Sequence, residues 1–322
     1  MTIFSPASRS ACSQLLAIYS AMLAVGLGTN LSAQDPAFAA AAQVDGTPIL
    51  VSQLRQELKS ITDKLTLTPE AHQRIAEKLL EQVIQRRLVL GYLRRSGQSA
   101  SAEDIAVAVE QLRLRLKLEE KSLELYLKQK QLDQQQLETQ IAWQLSWPRF
   151  QSKYLTDDNL QRYFEKHREQ FDGTERKVAH ILLKSGEEVD DKQLIARQQS
   201  LRLQIVAGDF TFAEAARDHS ESPSAEKGGE IGWINWNGPM PGSFTTAAFS
   251  AAPGTVSAPV QTRFGVHLVQ CLEIKPGKLG WQDAREPLRN AVVRYLFSWA
   301  ADQQREQVEI TRSGLWPEKE NR

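Results

Sequence analysis

The sequence predicts an α+β chain in which a small module of strands and helices is inserted into a helical domain built from the two ends of the chain. Three observations lead there. Between about residues 50 and 170 apolar side chains recur at helical spacing, as in Ile75, Leu79, Leu80, Val83, Ile84 and Leu88. At Lys177 the period changes, and strand-like runs then alternate with short helices in the order β-α-α-β-α-β-β. After Lys278 a last helix, expected over about Trp281 to Gln307, carries Leu288, Val292, Tyr295, Leu296 and Trp299 on one face. A face this apolar needs a partner, and the amino-terminal helices supply one.

Each element has its own local reason. Val44 to Ile49 is extended with a turn at Asp45-Gly46, and a helix follows from Val51 or Ser52. Thr68-Pro69-Glu70 reads as a cap with proline at the first helical position, and Gly97 closes that helix. Ser101 caps the next, whose face is marked by Ile105, Val109, Leu112 and Leu116. Another passes through Leu123, Leu125 and Leu127, and a longer one runs from about Gln134 to Trp147, where Pro148 is expected to break or kink it. Thr156-Asp157-Asp158 opens a short helix with Tyr163 and Phe164, and Phe171 lies just beyond. In the module, Lys177 to Leu183 is a strand, an acidic turn covers Glu187 to Asp191, and a helix from about Leu194 ends at Gly208. Thr211-Phe212-Ala213-Glu214 is a capping box. Gly228-Gly229 turns into a second strand, Ser243 is expected to cap a brief helix through Phe249, and Val256–Val260 and Gly265–Leu272 are the last two strands.

Composition narrows the function classes. The 322 residues carry 39 basic and 39 acidic side chains, so the broad basic field that nucleic-acid binding needs is missing. Two cysteines, Cys12 and Cys271, cannot make a disulfide framework, and five scattered histidines lack ligand spacing, so no metal or other cofactor is expected. The amino end, with Arg9 before an apolar stretch from Ala11 to Gly28 and small residues at Ser32-Ala33, reads as a secretory signal or an uncleaved anchor over residues 1–33. The expected location is therefore periplasmic or otherwise exported. Domain limits follow at 34–173 for the helical domain, 174–275 for the module and 276–322 for the returning helix and tail.

From His180 to His267 the module resembles a parvulin-type peptidyl-prolyl isomerase. The resemblance is carried by Ala179-His180-Ile181-Leu182, Phe212-Ala213-Glu214-Ala215-Ala216 through Ser220, and Gly228-Gly229-Glu230-Ile231-Gly232-Trp233. It continues in Met240, Phe244, Ala248-Phe249, Gly254, Pro259-Val260 and Phe264-Gly265-Val266-His267-Leu268. The flanks are similar to the exported SurA/PrsA-like chaperone-isomerases, especially Val44 to Ile49 and the helical run before Phe171. The resemblance implies a four-stranded antiparallel sheet with surrounding helices, inserted into an all-α chaperone domain. It implies catalysis of X-Pro isomerisation in unfolded or nascent exported polypeptides, with no nucleic acid as partner and the membrane reached only through an uncleaved amino-terminal segment.

Rotation about an X-Pro amide crosses a barrier of about 18–20 kcal/mol and breaks no bond. A catalyst therefore needs an apolar slot for the ring and polar groups matched to the twisted amide. The resemblance places Ile231, Met240 and Phe244 around the ring and makes Phe264 a fourth substrate-binding candidate, and Met240 and Phe244 are expected to be partly exposed in a groove. It gives His180 and His267 a shared hydrogen bond beneath the pocket and an orienting role. Ser222, the third catalytic candidate beside His180 and His267, stands where many parvulins carry a cysteine or an acid; its hydroxyl can hydrogen-bond the substrate carbonyl or amide but is not an anionic group. The loop after His180 has Lys184 followed by Glu187, Glu188, Asp190 and Asp191, which opposes recognition of a phosphoserine. A holdase whose module binds clients with little or no activity is the alternative reading.

Overall fold

The computed structural model describes residues 39–63, 65–130, 132–186 and 190–317. The signal or anchor reading of residues 1–33 and Cys12 lie outside the described residues, as do Glu187 and Glu188. Among the described residues no helix is long and apolar enough to cross a membrane, and no group of three or more His, Cys, Asp or Glu is placed to hold a metal ion.

The described residues open with a hairpin of β1 (Ala40–Val44) and β2 (Thr47–Leu50). Asp45 and Gly46 both have positive φ, at 52° and 70°, the geometry a two-residue turn needs to match strand twist. Helices α1 (Val51–Thr62), α2 (Pro69–Arg95), α3 (Ala102–Leu118), α4 (Leu123–Lys130), α5 (Gln134–Tyr154) and α6 (Asp157–Lys166) follow. Caps start them where the sequence places them: Thr68 accepts from the Ala71 N–H, Ser101 from Asp104 and Thr156 from Asn159. Pro148 does not break its helix: it lies inside α5, which continues through it to Tyr154. The stacked rings of Trp143, Trp147 and Phe150 and the edge of Phe297 hold that helix across the break in its hydrogen-bond ladder.

The module begins with β3 (Glu175–Lys184), followed by α7 (Asp191–Ala207), α8 (Phe212–His219), β4 (Glu230–Asn235), α9 (Gly242–Ser250), β5 (Val260–Thr262) and β6 (Gly265–Lys275). Its sheet is antiparallel throughout, in the order β4-β3-β6-β5. Two corrections apply here. Ser243 does not cap α9: the N-cap position falls on Pro241, which makes no side-chain cap, and the Ser243 hydroxyl donates to the Gln261 carbonyl at 2.9 Å. The strand expected at Val256–Val260 forms only at Val260–Thr262, with Val256 making an isolated bridge to Gln270. The two central strands are covered on both sides. On one, Ala179, Ile181 and Leu268 meet Leu201, Phe212, Ala215 and Ala216; on the other, Val178 and Val269 meet Phe244, Ala248 and Phe249.

The chain then returns through α10 (Arg285–Arg305) to β7 (Ile310–Arg312). Leu288, Val292, Leu296 and Ala300 share one core with Leu79, Ile84 and Leu88 of α2 and with Leu160 and Phe164 of α6. Gly91 permits the close approach of α2 and α10, since a Cβ there would lie 3.0 Å from Gln304 Nε2. The helical part has one addition to the all-α reading. β7 pairs antiparallel with β1, Val44 opposite Ile310, and makes a three-stranded sheet in the order β2-β1-β7. Arg176 on β3 joins the two parts: it is buried, donates to the carbonyls of Ala248 and Ala251, and pairs at 2.6 Å with Glu169 just before the module.

Candidate active site

Antiparallel pairing of β3 and β6 sets His180 opposite Val269 and Leu182 opposite His267. The two histidines are therefore diagonal neighbours on the same face of the sheet. Their rings stack 5.4 Å apart, and the two Nδ1 atoms are 3.1 Å from each other. The edge of Phe244, from α9, lies 5.6 Å from the His180 ring and 5.4 Å from the His267 ring. The backbone at His180 is held by Gly229, whose carbonyl accepts the His180 N–H at 2.9 Å. A Cβ on Gly229 would sit 2.4 Å from the His180 carbonyl oxygen, and its φ is +81°, so only glycine fits.

The outer nitrogens extend the pair into a chain. His267 Nε2 lies 2.8 Å from the Thr262 hydroxyl, and His180 Nε2 lies 2.9 Å from the Ser222 hydroxyl, which is 3.0 Å from that of Ser224. Two arrangements of protons satisfy every member, one the reverse of the other, and both keep the two rings neutral; the first turns the proton of each ring toward Thr262. The Thr262 oxygen accepts from the Phe264 N–H at 3.1 Å and donates to the Gly265 carbonyl at 3.4 Å, which leaves it able to accept from His267 Nε2–H. His267 Nδ1 is then bare and accepts from His180 Nδ1–H. His180 Nε2 accepts the Ser222 hydroxyl, whose oxygen accepts the Ser224 backbone N–H at 3.3 Å. This pattern requires both rings to be neutral. Burial lowers the pKa of His180, and burial together with the neighbouring His180 lowers that of His267 to about 4.

Beside Ser222 opens a cleft of about 760 Å³ lined by Ser222, Pro223, Ser224, Lys227, Glu230, Ile231 and Gly232. Lys177 on β3 neutralises Glu230 at 2.7 Å. Ile231 and Met240 are half-buried and pack against the Phe244 cluster. Phe244 is not a groove wall: it is 2% exposed and forms the floor under the histidines. Ser222 is also buried, with its hydroxyl taken up by His180 and Ser224. Phe264 stands apart. It is 48% exposed at the β5–β6 turn, stacked by the Arg263 guanidinium at 4.7 Å, and is not among the residues packed around Phe244.

Thr262, Ser224 and Ser220 are members that the sequence reading missed. Ser220 Oγ accepts the N–H groups of Leu182 and Ser222 and so fixes the Ser222 loop against β3. Thr262 had a usable signal. A tight turn at Arg263-Phe264 pairs Thr262 with Gly265, which makes Thr262 the diagonal neighbour of His267.

Comparison with known proteins settles the family of the module. A model described as the PPIC-type PPIASE domain matches residues 180–273. Those residues are a PPIC-type isomerase domain. The same chain carries a SurA-like N-terminal domain, matched over residues 4–151. Chaperone SurA of Albidiferax ferrireducens is 34% identical over 134 residues, 40% of this chain and 29% of that protein. Chaperone SurA of Thiobacillus denitrificans is 44% identical over 100 residues, 31% of this chain and 22% of that protein. The chain thus spans less than a third of the length of these curated relatives. The crystal structure of a PpiC-type peptidyl-prolyl cis-trans isomerase domain is 29% identical, covering 33% of this chain and 95% of that chain with a TM-score of 0.31, so the PPIC-type assignment rests on sequence.

Proposed function

We propose that this chain is an exported foldase that isomerises X-Pro bonds in unfolded polypeptides, with its helical part holding the client. The observation that carries the reading is the neutral His180–His267 pair set on the Phe244 floor next to an open cleft. A planar amide is stabilised by charge-separated resonance, and twisting removes part of that polarity. A surface that offers apolar contact and no competing charge therefore favours the twisted amide over the planar one. Met240 and Ile231 supply the contact for the proline ring. The histidine chain keeps the surface rigid and uncharged, because each of its protons is already held inside the network.

The acidic loop after β3 supports unphosphorylated substrates. Asp191 is held beside β5 by Ser185 at 2.6 Å and by Gln261 at 2.5 Å, so one acid of that loop adds fixed negative charge to the module, which disfavours a dianion. Location in the periplasm or another exported compartment is part of the same proposal, as is entry of the membrane only through an uncleaved amino-terminal segment. The holdase reading draws on Ser222, which brings no charge to the site. Two readouts on Met240→Ala separate the readings. The foldase reading expects isomerisation of a proline peptide to fall about tenfold or more while suppression of aggregation of a denatured client is kept. Unchanged isomerisation, or loss of both together in a variant that is still folded at the assay temperature, contradicts it.

A further inference from the structure

Helices α1, α2, α4 and α5 line a second cleft, of about 510 Å³, remote in sequence from the isomerase module. Its floor is apolar, from Leu54, Leu90 and Trp143, and its walls are rich in side-chain amides, among them Gln53, Gln140 and Gln144. Three cations, Arg86, Arg87 and Lys130, line it against a single carboxylate, Glu57. That carboxylate is taken: Arg86 Nη1 holds it at 3.1 Å. Arg87 differs from its neighbour. It is half-buried, no ion pair or hydrogen bond reaches it among the described residues, and both burial and the nearby Arg94 press against its charge.

A half-buried guanidinium without a counter-ion is unfavourable unless something supplies the anion. The one carboxylate among the lining residues, Glu57, is already paired with Arg86, so the missing group comes from outside. We infer that this cleft binds an extended client segment with an internal Asp or Glu set between apolar residues, its carboxylate paired with Arg87. The amides on both walls suit a main chain that passes through, since they donate and accept along its length, and the apolar floor takes the flanking side chains. An inorganic anion would use the guanidinium and leave the floor and walls idle. The inference deepens the client-binding reading of the helical part and rests on it.

The test uses the full chain and three proline-free, fluorescently labelled peptides read by anisotropy. One is C-amidated with a single Glu between Leu and Phe, the second replaces that Glu by Gln, and the third is the Gln peptide with a free carboxyl terminus. The Glu peptide should bind about fivefold tighter than the Gln peptide at low salt, a difference that closes when salt screens the pair. Arg87→Gln should remove the difference without weakening the Gln peptide, and Arg87→Lys should restore part of it. Equal binding of Glu and Gln peptides to the parent chain overturns the carboxylate assignment while leaving client binding in place. A preference for the free carboxyl terminus over the internal Glu overturns the occupant, and no binding of any peptide overturns the client reading as well.

Discussion

Lowering the pH toward 4 should destabilise the module through the histidine pair, and the size of the effect follows from its burial. His267 is 4% exposed, and its pKa falls from the usual 6.5 to about 4. Between those values the unfolded chain binds a proton that the folded chain refuses, so stability is full above about pH 6.5 and declines as the pH falls. At about 1.4 kcal/mol per pH unit the loss reaches about 3 kcal/mol near pH 4 for this one ring, with His180 adding in the same direction. Imidazole Cε1–H signals followed by NMR isolate the effect from carboxylates that titrate lower. The His267 ring should stay neutral from about pH 7.5 to 5.5, and urea midpoints should fall over the acid side of that range. A His267 signal that titrates near the ordinary histidine value would refute the neutral, proton-ordered pair.

Three substitutions probe the same construction. Phe244→Ala empties the floor under both rings and should cost about 3–5 kcal/mol in denaturant unfolding, whereas half-buried Met240→Ala should cost about 1–2 kcal/mol at most; similar losses would show that Phe244 is not a packed floor. Gly229→Ala forces a Cβ onto the His180 carbonyl and should lower the melting temperature clearly, while Gly46→Ala, at a positive-φ turn with nothing within 4 Å of the added atom, should cost less. Thr262→Val removes the acceptor of His267 Nε2–H, and should cost about 1–2 kcal/mol and shift the ring's 15N signals toward the other tautomer; unchanged 15N shifts would place the proton elsewhere.

Much of this architecture was legible because the signals are local. Thr68-Pro69, Ser101 and Asp45-Gly46 act within a few residues of themselves, and each does in the structure what its chemistry dictates. The change of period at Lys177 marked the sheet for the same reason. What was missed depends on distant partners. β7 is three residues long and becomes a strand only because β1 offers an open edge, so nothing in Ile310-Thr311-Arg312 announces it. Pro148 reads as a breaker, yet ring stacking on both sides holds the helix through it. Phe244 reads as a pocket aromatic because its place in the chain says nothing of its depth, which the packing of α9 against β3 and β6 decides. His180 and His267 could be placed on strands from their neighbours, but Thr262 required the hairpin register as well.

The central claim is that a site built on a neutral histidine pair in this module accelerates rotation of unphosphorylated X-Pro bonds. Its most direct measurement is the cis–trans exchange rate of an unphosphorylated X-Pro peptide by NMR exchange spectroscopy with catalytic amounts of the full chain, beside the same peptide carrying phosphoserine before proline. The account predicts accelerated exchange for the unphosphorylated peptide and slower exchange for the phosphorylated one. Equal or faster exchange of the phosphorylated peptide, or no acceleration of either, would contradict it.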